Sequence, residues 1–469
     1  MPSQQYLIVF AQAHEDFRVP ELLSIAELYG FPLNIENDID PSRPFGVLDL
    51  EKEEHVRLLA RRCILIKSVY ELYAKGCTYE DVHRQNRASR HLWEKYIPNT
   101  SFKFVVNGYN HSISKARQRQ VIEDFSYMGF MGTIDLLNPE VTLGCFEEYP
   151  NGHRTVRLEH KGASEFRDVF FGRLLEQGSA RPLIQTFDVK KRQYFGNTSM
   201  EAEISLLMAN QTLASPGKLI YDPFIGTGSM AYTTAHFGAF VFGSDIDGRQ
   251  MRGKEAQPGI MRAAAQYGVR QRILDLCTFD ITRNPWRCGG LFDAIITDPP
   301  YGVRAGAKRL GRKKERVADS PLPPQPRTDV QQYVPPTKPY ELSALAADLV
   351  ILARYLLKPG GRLVFFLPTV IDEYKELDLD SVLCDGMQVI ANSLQDFGAW
   401  GRRLITIRKA TSRSYPPPTF DSQPVPPALR DGDAEREGNP SSPIHVPAHR
   451  DFREKYFQGF KKPSDAGPS

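Results

Sequence analysis

Four short apolar runs between residues 218 and 298 each end in an aspartate, and stretches with helical character separate them. Residues 218–221 end at Asp222-Pro223, after which Gly226-Thr227-Gly228-Ser229 opens a helix through His236. Residues 239–244 end at Asp245, residues 276–279 at Asp280, and residues 291–297 at Asp298. Strands alternating with helices imply a parallel sheet covered on both faces. A helix over about 341–357, stopped by Pro359-Gly360-Gly361, leads into a fifth strand at 362–367. Residues 388–393 and 404–407, around a Gly398/Gly401 turn, read as a closing hairpin that leaves one antiparallel edge strand. In a doubly wound sheet of order 3-2-1-4-5 the first and fourth strands lie side by side, about 4.8 Å apart. Asp222 and Asp298 then share the carboxyl rim, where open α/β sheets bind ligands.

The first 175 residues have a different pattern. Candidate strands at 6–10, 45–50, 63–69, 102–106 and 155–160 and helices at 20–29, 53–60 and 114–127 give an α+β region without a nucleotide-type glycine loop. We expect this region over 1–175, the α/β domain over 185–410, and a Pro-rich tail over 411–469. Residues 304–339 and the tail hold 18 of the 35 prolines in about a fifth of the chain, and both read as largely mobile. Within the tail, residues 451–460 have the amphipathic look of a short docking helix. The 304–339 insert carries nine Lys or Arg against three acids. Net charge over the 469 residues is only +3, so any basic face for nucleic acid has to be local.

Six scattered cysteines without a C-x-x-C pair argue against a zinc site or a disulfide framework in this chain, and for a reducing compartment. The start lacks the basic and apolar regions of a signal peptide, and no stretch approaches a membrane span. The expectation is a soluble, cytoplasmic protein without membrane partners and without a metal site of its own.

The residue types at the strand ends suggest chemistry. Gly226 and Gly228 allow a tight turn and close approach of backbone to a ligand. Asp245, 17 residues past Gly228, fits a partner for two ribose hydroxyls, and Asp280 one for an adenine amino group. Each acid alone also reads as a helix cap or turn residue. Asp298-Pro299-Pro300-Tyr301 combines a carboxylate that only accepts, prolines that fix φ and lack N–H groups, and a flat aromatic face. That set suits holding an exocyclic amine by its N–H bonds while the nitrogen attacks a methyl donor. The plain alternative is turn punctuation. Gly226, Gly228 and Ala231 also match a dinucleotide loop, but Asp222-Pro223 and the Asp298 turn have no role in a nicotinamide-dependent dehydrogenase. Thr198-x-x-Glu201 reads as a capping box for a following helix, and Arg192 and Tyr194 admit a reading as a surface pair.

In their order these motifs resemble the class I S-adenosylmethionine-dependent methyltransferases that act on exocyclic amines of nucleobases. Lys191-Arg192-Gln193-Tyr194-Phe195-Gly196-Asn197-Thr198-Ser199-Met200 and Asp298-Pro299-Pro300-Tyr301-Gly302-Val303-Arg304-Ala305-Gly306-Ala307 further resemble THUMP-linked tRNA guanine-N2 methyltransferases. Among these, the match is to eukaryotic catalytic subunits that form N2-methylguanosine at tRNA position 10. The resemblance is specific over about 160–410 and is a fit of size and type before that.

It implies a Rossmann-like seven-stranded sheet after a THUMP-type RNA-binding domain. It implies S-adenosyl-L-methionine held by Asp222, Pro223, Phe224, Gly226, Thr227, Gly228, Asp245 and Asp280, with Thr198 and Ser199 lining the pocket. It assigns catalysis to Asp298, Pro299, Pro300 and Tyr301, with tRNA as substrate and a small zinc-binding activator subunit as heterodimer partner. An adenine-N6 methyltransferase acting on RNA or DNA uses the same turn. A non-catalytic RNA-binding scaffold is the other alternative, and the four intact aspartates argue against it.

Overall fold

The computed structural model describes residues 4–35, 39–150, 166–253, 259–303, 306–311, 336–420 and 446–459. The chain divides into two units, Met1–Pro182 and Leu183–Ser469. The first unit is built on a six-stranded sheet of β1 (Gln4–Phe10), β2 (Phe45–Leu50), β3 (Ile66–Gly76), β4 (Phe102–Tyr109), β5 (Val141–Glu148) and β6 (Asp168–Gln177). Their order is β2-β1-β3-β6-β5-β4, and β4 and β5 form its parallel pair.

Helices Arg18–Tyr29 and Glu53–Arg62 supply Leu22, Ile25, Val56 and Leu59 to a core with Ile8, Phe10 and Ile66. The sequence reading missed β5, β6 and the helix Tyr79–Ala88, and it started β3 three residues early. The expected strand at 155–160 lies outside the described residues. Buried charges broke the apolar pattern of β5 and β6. Arg43 pairs with Glu148 and Asp168, while Arg117 and Tyr79 both donate to Glu147. Such acids are tolerable inside only because distant residues pair them.

The second unit carries a seven-stranded sheet. Its strands are β7 (Leu219–Asp222), β8 (Phe240–Asp245), β9 (Ile273–Thr278), β10 (Phe292–Thr297), β13 (Leu357–Val370), β14 (Met387–Asp396) and β15 (Trp400–Lys409). A separate two-stranded ribbon is made of β11 (Lys308–Leu310) and β12 (Thr337–Pro339). The sheet order is β14-β15-β13-β10-β7-β8-β9, so β7 lies beside β10, as the 3-2-1-4-5 expectation requires. The helix Leu342–Leu356 covers one face through Leu345, Leu349, Val350 and Leu352, packed with Phe292, Ile295, Leu363 and Phe365. The helix Ala202–Gln211 covers the other. Gln211 accepts from Arg362 Nη1 through its carbonyl and from Thr406 through its side chain.

Three expectations need correction. The antiparallel strand is not at the edge: β15 pairs with both β13 and β14, and β14 is outermost. Leu404, Ile405, Thr406 and Ile407 are all buried, so β15 needs cover on both faces, whereas β14 is mostly half-buried. The ends of the 304–339 insert are ordered as the β11–β12 ribbon, and Tyr340 N–H donates to the Ala307 carbonyl. The tail is also partly anchored. Tyr415 stacks beneath Arg354 at 4.1 Å, and the helix Phe452–Gln458 packs on the unit with Phe452 buried.

Candidate active site

The glycine turn bends as its sequence demands. Gly226 and Gly228 have φ of +51° and +83°, in the left-handed region that favours glycine. A Cβ on Gly228 would lie 2.8 Å from the Tyr232 hydroxyl, so side-chain crowding also excludes other residues there. A Cβ on Gly226 would meet nothing nearer than the Phe224 carbonyl at 3.9 Å, which leaves that position open to a ligand. The helix Ser229–His236 starts directly after, with Gly228 as its cap.

Hydrogen bonds tie the strand tips into one rim. Thr297 Oγ1, at the end of β10, donates to Asp222 Oδ1 at 2.9 Å, and Phe224 N–H donates to the same oxygen at 3.1 Å. Asp222 is fully buried, and its Oδ2 has no hydrogen-bond partner among the described residues. Burial, reinforced by the nearby Asp245 and Asp298 carboxylates, pushes the Asp222 carboxyl up to about 8. Asp245 accepts from Gly226 N–H at 3.0 Å and from Asp247 N–H at 2.8 Å, clasping the β8 tip to the glycine turn. Burial raises its carboxyl to about 6 against the pull of those bonds. Pro223 is buried, and its carbonyl accepts from Ser244 Oγ.

Asp280 has a firmly structural setting. Its Oδ1 caps the turn Ile281–Arg283 by accepting from Thr282 N–H and Oγ1, and its Oδ2 accepts from Leu310 N–H of the ribbon. Ser199 reaches the glycine turn, with Oγ 2.8 Å from Thr227 Oγ1, while Thr198 is exposed. The capping box does not form: the helix begins at Ala202 with Glu201 as its cap residue and no side-chain cap bond. Glu201 instead accepts from Gln395 and Arg402. Arg192 and Tyr194 are not a surface pair. Arg192 is buried and donates to Ser229 Oγ at 2.8 Å, and the Tyr194 hydroxyl donates to the Gln250 carbonyl.

The Asp298-Pro299-Pro300-Tyr301 turn leaves β10 beside this rim. Pro299 is buried, whereas Asp298, Pro300 and Tyr301 are half-buried. The sequence reading missed Arg402, whose Nη1 lies 3.7 Å from Asp298 Oδ2. Its guanidinium sits 4.3 Å over the Phe366 ring and donates to Gln395 Oε1 at 2.7 Å and Glu201 Oε1 at 3.3 Å. The guanidinium is thus fixed by Gln395, Glu201 and the Phe366 ring before it reaches the Asp298 carboxylate. The available signal was weak: Arg402 shares a strand face with Leu404, yet two adjacent arginines precede that run and β15 is buried on both faces. Among the described residues there is no group of His, Cys, Asp and Glu able to hold a metal ion, and none of the six cysteines is joined in a disulfide.

Comparison with known proteins agrees with this architecture. Residues 4–181 match the family model described as the Tmrp11 THUMP N-terminal domain, and residues 190–314 match the RMKL-like methyltransferase domain. A tRNA (guanine(10)-N(2))-methyltransferase of Saccharomyces cerevisiae is 37% identical over 410 residues, covering 86% of this chain and 92% of its own. Its namesake in Schizosaccharomyces pombe is 34% identical, covering 96% of both chains. Among solved structures, TrmN from Thermus thermophilus aligns over 86% of this chain and 99% of its own, at 17% identity and a TM-score of 0.43. The second unit is a class I, Rossmann-like methyltransferase domain, and S-adenosylmethionine is the methyl donor of that class. With this domain, the THUMP-type unit before it and near full-length similarity to both yeast enzymes, the chain belongs to the tRNA (guanine(10)-N(2))-methyltransferase family.

Proposed function

We propose that this chain methylates the exocyclic N2 amine of guanosine 10 in tRNA. The observation that carries the reading is the Thr297–Asp222 hydrogen bond, which joins the Asp298 turn to the glycine turn across adjacent strands. Donor and acceptor would meet at that seam. The residues fit the donor: Gly226 is open, and the buried Asp222 Oδ2 lacks a partner that a cationic ligand would supply. Asp222, Pro223, Phe224, Gly226, Thr227 and Gly228 would hold S-adenosylmethionine, with Thr198 and Ser199 at the pocket wall. Asp245 would accept from the ribose hydroxyls and Asp280 from the adenine amine through lone pairs that its cap and ribbon bonds leave over. When bound, the donor supplies an electrophilic methyl group.

The chain's own part is to orient the amine. A guanine turned out of its stack would lie on Tyr301. Asp298 accepts one N2–H bond and the Pro299 carbonyl the other, aiming the nitrogen lone pair at the methyl group. Positioning of this kind supplies much of the rate, and Asp298 then receives the departing proton. Arg402, 3.7 Å from Asp298 Oδ2, would hold that carboxylate in place. The THUMP-type region, 1–175, would bind tRNA, leaving 185–410 for methyl transfer and 411–469 as the tail. Lys308 and Arg309 on the ribbon would meet phosphates in a salt-dependent way.

The same reading includes a small zinc-binding activator as partner and a cytoplasmic location. The partner assignment is supported by β9, the outermost strand opposite β14, where Leu274 is 54% exposed. No helix among the described residues is long and apolar enough to cross a membrane.

The test is labelled methyl transfer into unmodified tRNA by the chain with and without the activator, with the product nucleoside identified by mass spectrometry. N2-methylguanosine at position 10 is the expected product. Methylated adenosine would overturn the acceptor assignment. Asp298→Ala is expected to abolish turnover with donor affinity within about threefold, and retained turnover would remove Asp298 from the mechanism.

A further inference from the structure

The tail's short helix, Phe452–Gln458, lies against the turn assigned to the acceptor base. Phe452 is 1% exposed, and its ring meets Tyr301 edge-on, with centroids 6.3 Å apart and planes at 79°. Trp400, at the start of β15, closes the cluster at 5.6 Å from Phe452 and 5.5 Å from Tyr456. The stem of Arg453 covers Gly302, whose φ is +94°; a Cβ there would come within 2.8 Å of Arg453 Cδ. Two further contacts and the burial of its first turn fix the segment in place. Ala448 N–H donates to the buried Asp378 Oδ2 at 2.8 Å, Lys455 pairs with Glu373, and Ala448 and His449 are themselves buried. A segment held by a buried backbone bond, an ion pair and an aromatic cluster is part of the folded unit.

We propose that residues 446–459 form the outer wall of the nucleobase site, with Phe452 and Arg453 as positioning residues for Tyr301 and Gly302. This rests on the reading that Tyr301 takes the base. Pro300 and a β-bridge to Gly306 hold the main chain of Tyr301, but a fixed main chain does not by itself select the side-chain rotamer that sets the ring. Edge-on contact with Phe452 supplies a lateral stop, and an aromatic pair of this geometry adds to the burial that holds it. The Arg453 stem, packed over Gly302, keeps that bend from opening. The wall therefore acts on the acceptor and leaves the glycine turn untouched.

The experiment uses the full chain with its activator and compares wild type with Phe452→Ala and Phe452→Leu. Substrate is unmodified tRNA, and 2-aminopurine placed at position 10 reports stacking. For Phe452→Ala, kcat is expected to fall by about ten- to a hundredfold, as for a reacting group displaced by about an ångström. Donor affinity is expected to stay within about twofold, and the 2-aminopurine emission to rise as the base loses its platform. Phe452→Leu, which retains apolar bulk at the same place, is expected to recover part of kcat. Wild-type kcat and emission in Phe452→Ala overturn the proposal, as does a gain in kcat, which would make the segment inhibitory. A parallel loss of donor affinity also overturns it, because the effect would then be general. Should wild type methylate adenosine, the guanine reading falls, and the same variants measured on that product still judge the wall.

Discussion

Replacing Asp222 by Asn is expected to make the protein less stable in acid, more stable in base, and poorer at binding its donor. Asp222 is fully buried and its carboxyl is pushed up to about 8, first by burial and then by the Asp245 and Asp298 carboxylates. The folded state therefore keeps a proton that the unfolded chain releases near pH 3.9. Its stability contribution is fully present below that pH and is lost as pH rises through 8. At pH 7, some three units above the unfolded value, the loss amounts to up to about 4 kcal/mol.

Asn cannot ionise, so it escapes this loss. Its amide places two N–H hydrogens where the protonated acid has a single O–H without a partner among the described residues, and that extra unsatisfied donor costs about 1–3 kcal/mol at every pH. The variant should thus be less stable by about 1–3 kcal/mol at pH 4 and more stable by roughly 2–4 kcal/mol at pH 8. Calorimetric melting across that range measures the crossover, with the relevant transition identified by its upward shift on adding S-adenosylmethionine. The same variant should bind the donor at least about tenfold more weakly by titration calorimetry, since it can no longer offset a cation. Melting curves that run parallel from pH 4 to 8 would refute the burial argument. Unchanged donor affinity would refute the donor contact.

Asp245→Ala is expected to weaken donor binding about a hundredfold, because both the ribose acceptors and the clasp on Gly226 N–H are lost. With its carboxyl raised to about 6, wild-type donor affinity should decline as pH falls through 6, and a flat titration would remove Asp245 from the ribose site. Arg402→Met leaves Glu201 and Asp298 without their shared cation, so urea unfolding should register a loss of about 2 kcal/mol and turnover should drop with it. Unchanged turnover would make Arg402 purely structural. Leu274→Glu places a charge on exposed β9 and should abolish co-purification with the activator while melting stays within about 0.5 kcal/mol of wild type. Retained pairing would move the docking surface elsewhere.

Much of the second unit was readable because its signals are local. β7, β8 and β10 are short apolar runs closed by a polar turn, and right-handed crossovers leave few orders for such strands. β9 instead forms over Ile273–Thr278, three residues ahead of the apolar run expected at 276–279, and carries Asp275 on a largely exposed edge. The glycine turn was readable because left-handed backbone restricts residue choice at Gly226 and Gly228. What escaped depended on distant partners. β5 and β6 carry acids whose neutralising arginines lie up to 125 residues away. Arg402 meets Asp298 only because β15 inserts beside β13, and the hairpin pattern alone cannot tell which of its strands goes inside. Thr198 and Glu201 fit a capping box by spacing, but Gln395 and Arg402 compete for the Glu201 carboxylate, and a charge-assisted tertiary contact outweighs a local cap. Phe452 lay within an amphipathic stretch that was visible, but its destination was not, since nothing local says which surface a lone aromatic will cover.

In the proposed site, donor and acceptor sides would be coupled by one register. β7 and β10 are parallel neighbours paired at Ile220 with Ala294 and Tyr221 with Ile295, so their carboxyl ends arrive at the same rim. Thr297 spans the gap to Asp222, and the next residue is Asp298. A shift of Asp222 would thus be felt by Asp298 through a single hydroxyl. Thr297→Val keeps the shape of the side chain but removes that link, and among the described residues it leaves Asp222 with only the Phe224 N–H as donor. The lost bond holds the carboxylate form in place, so its removal should raise the Asp222 carboxyl further. Turnover should fall more than either donor or tRNA affinity, since each half of the site would persist while their alignment would not. A Thr297→Val enzyme with full turnover would mean that sheet register alone aligns the two halves, and that the hydroxyl serves only to satisfy a buried carboxyl.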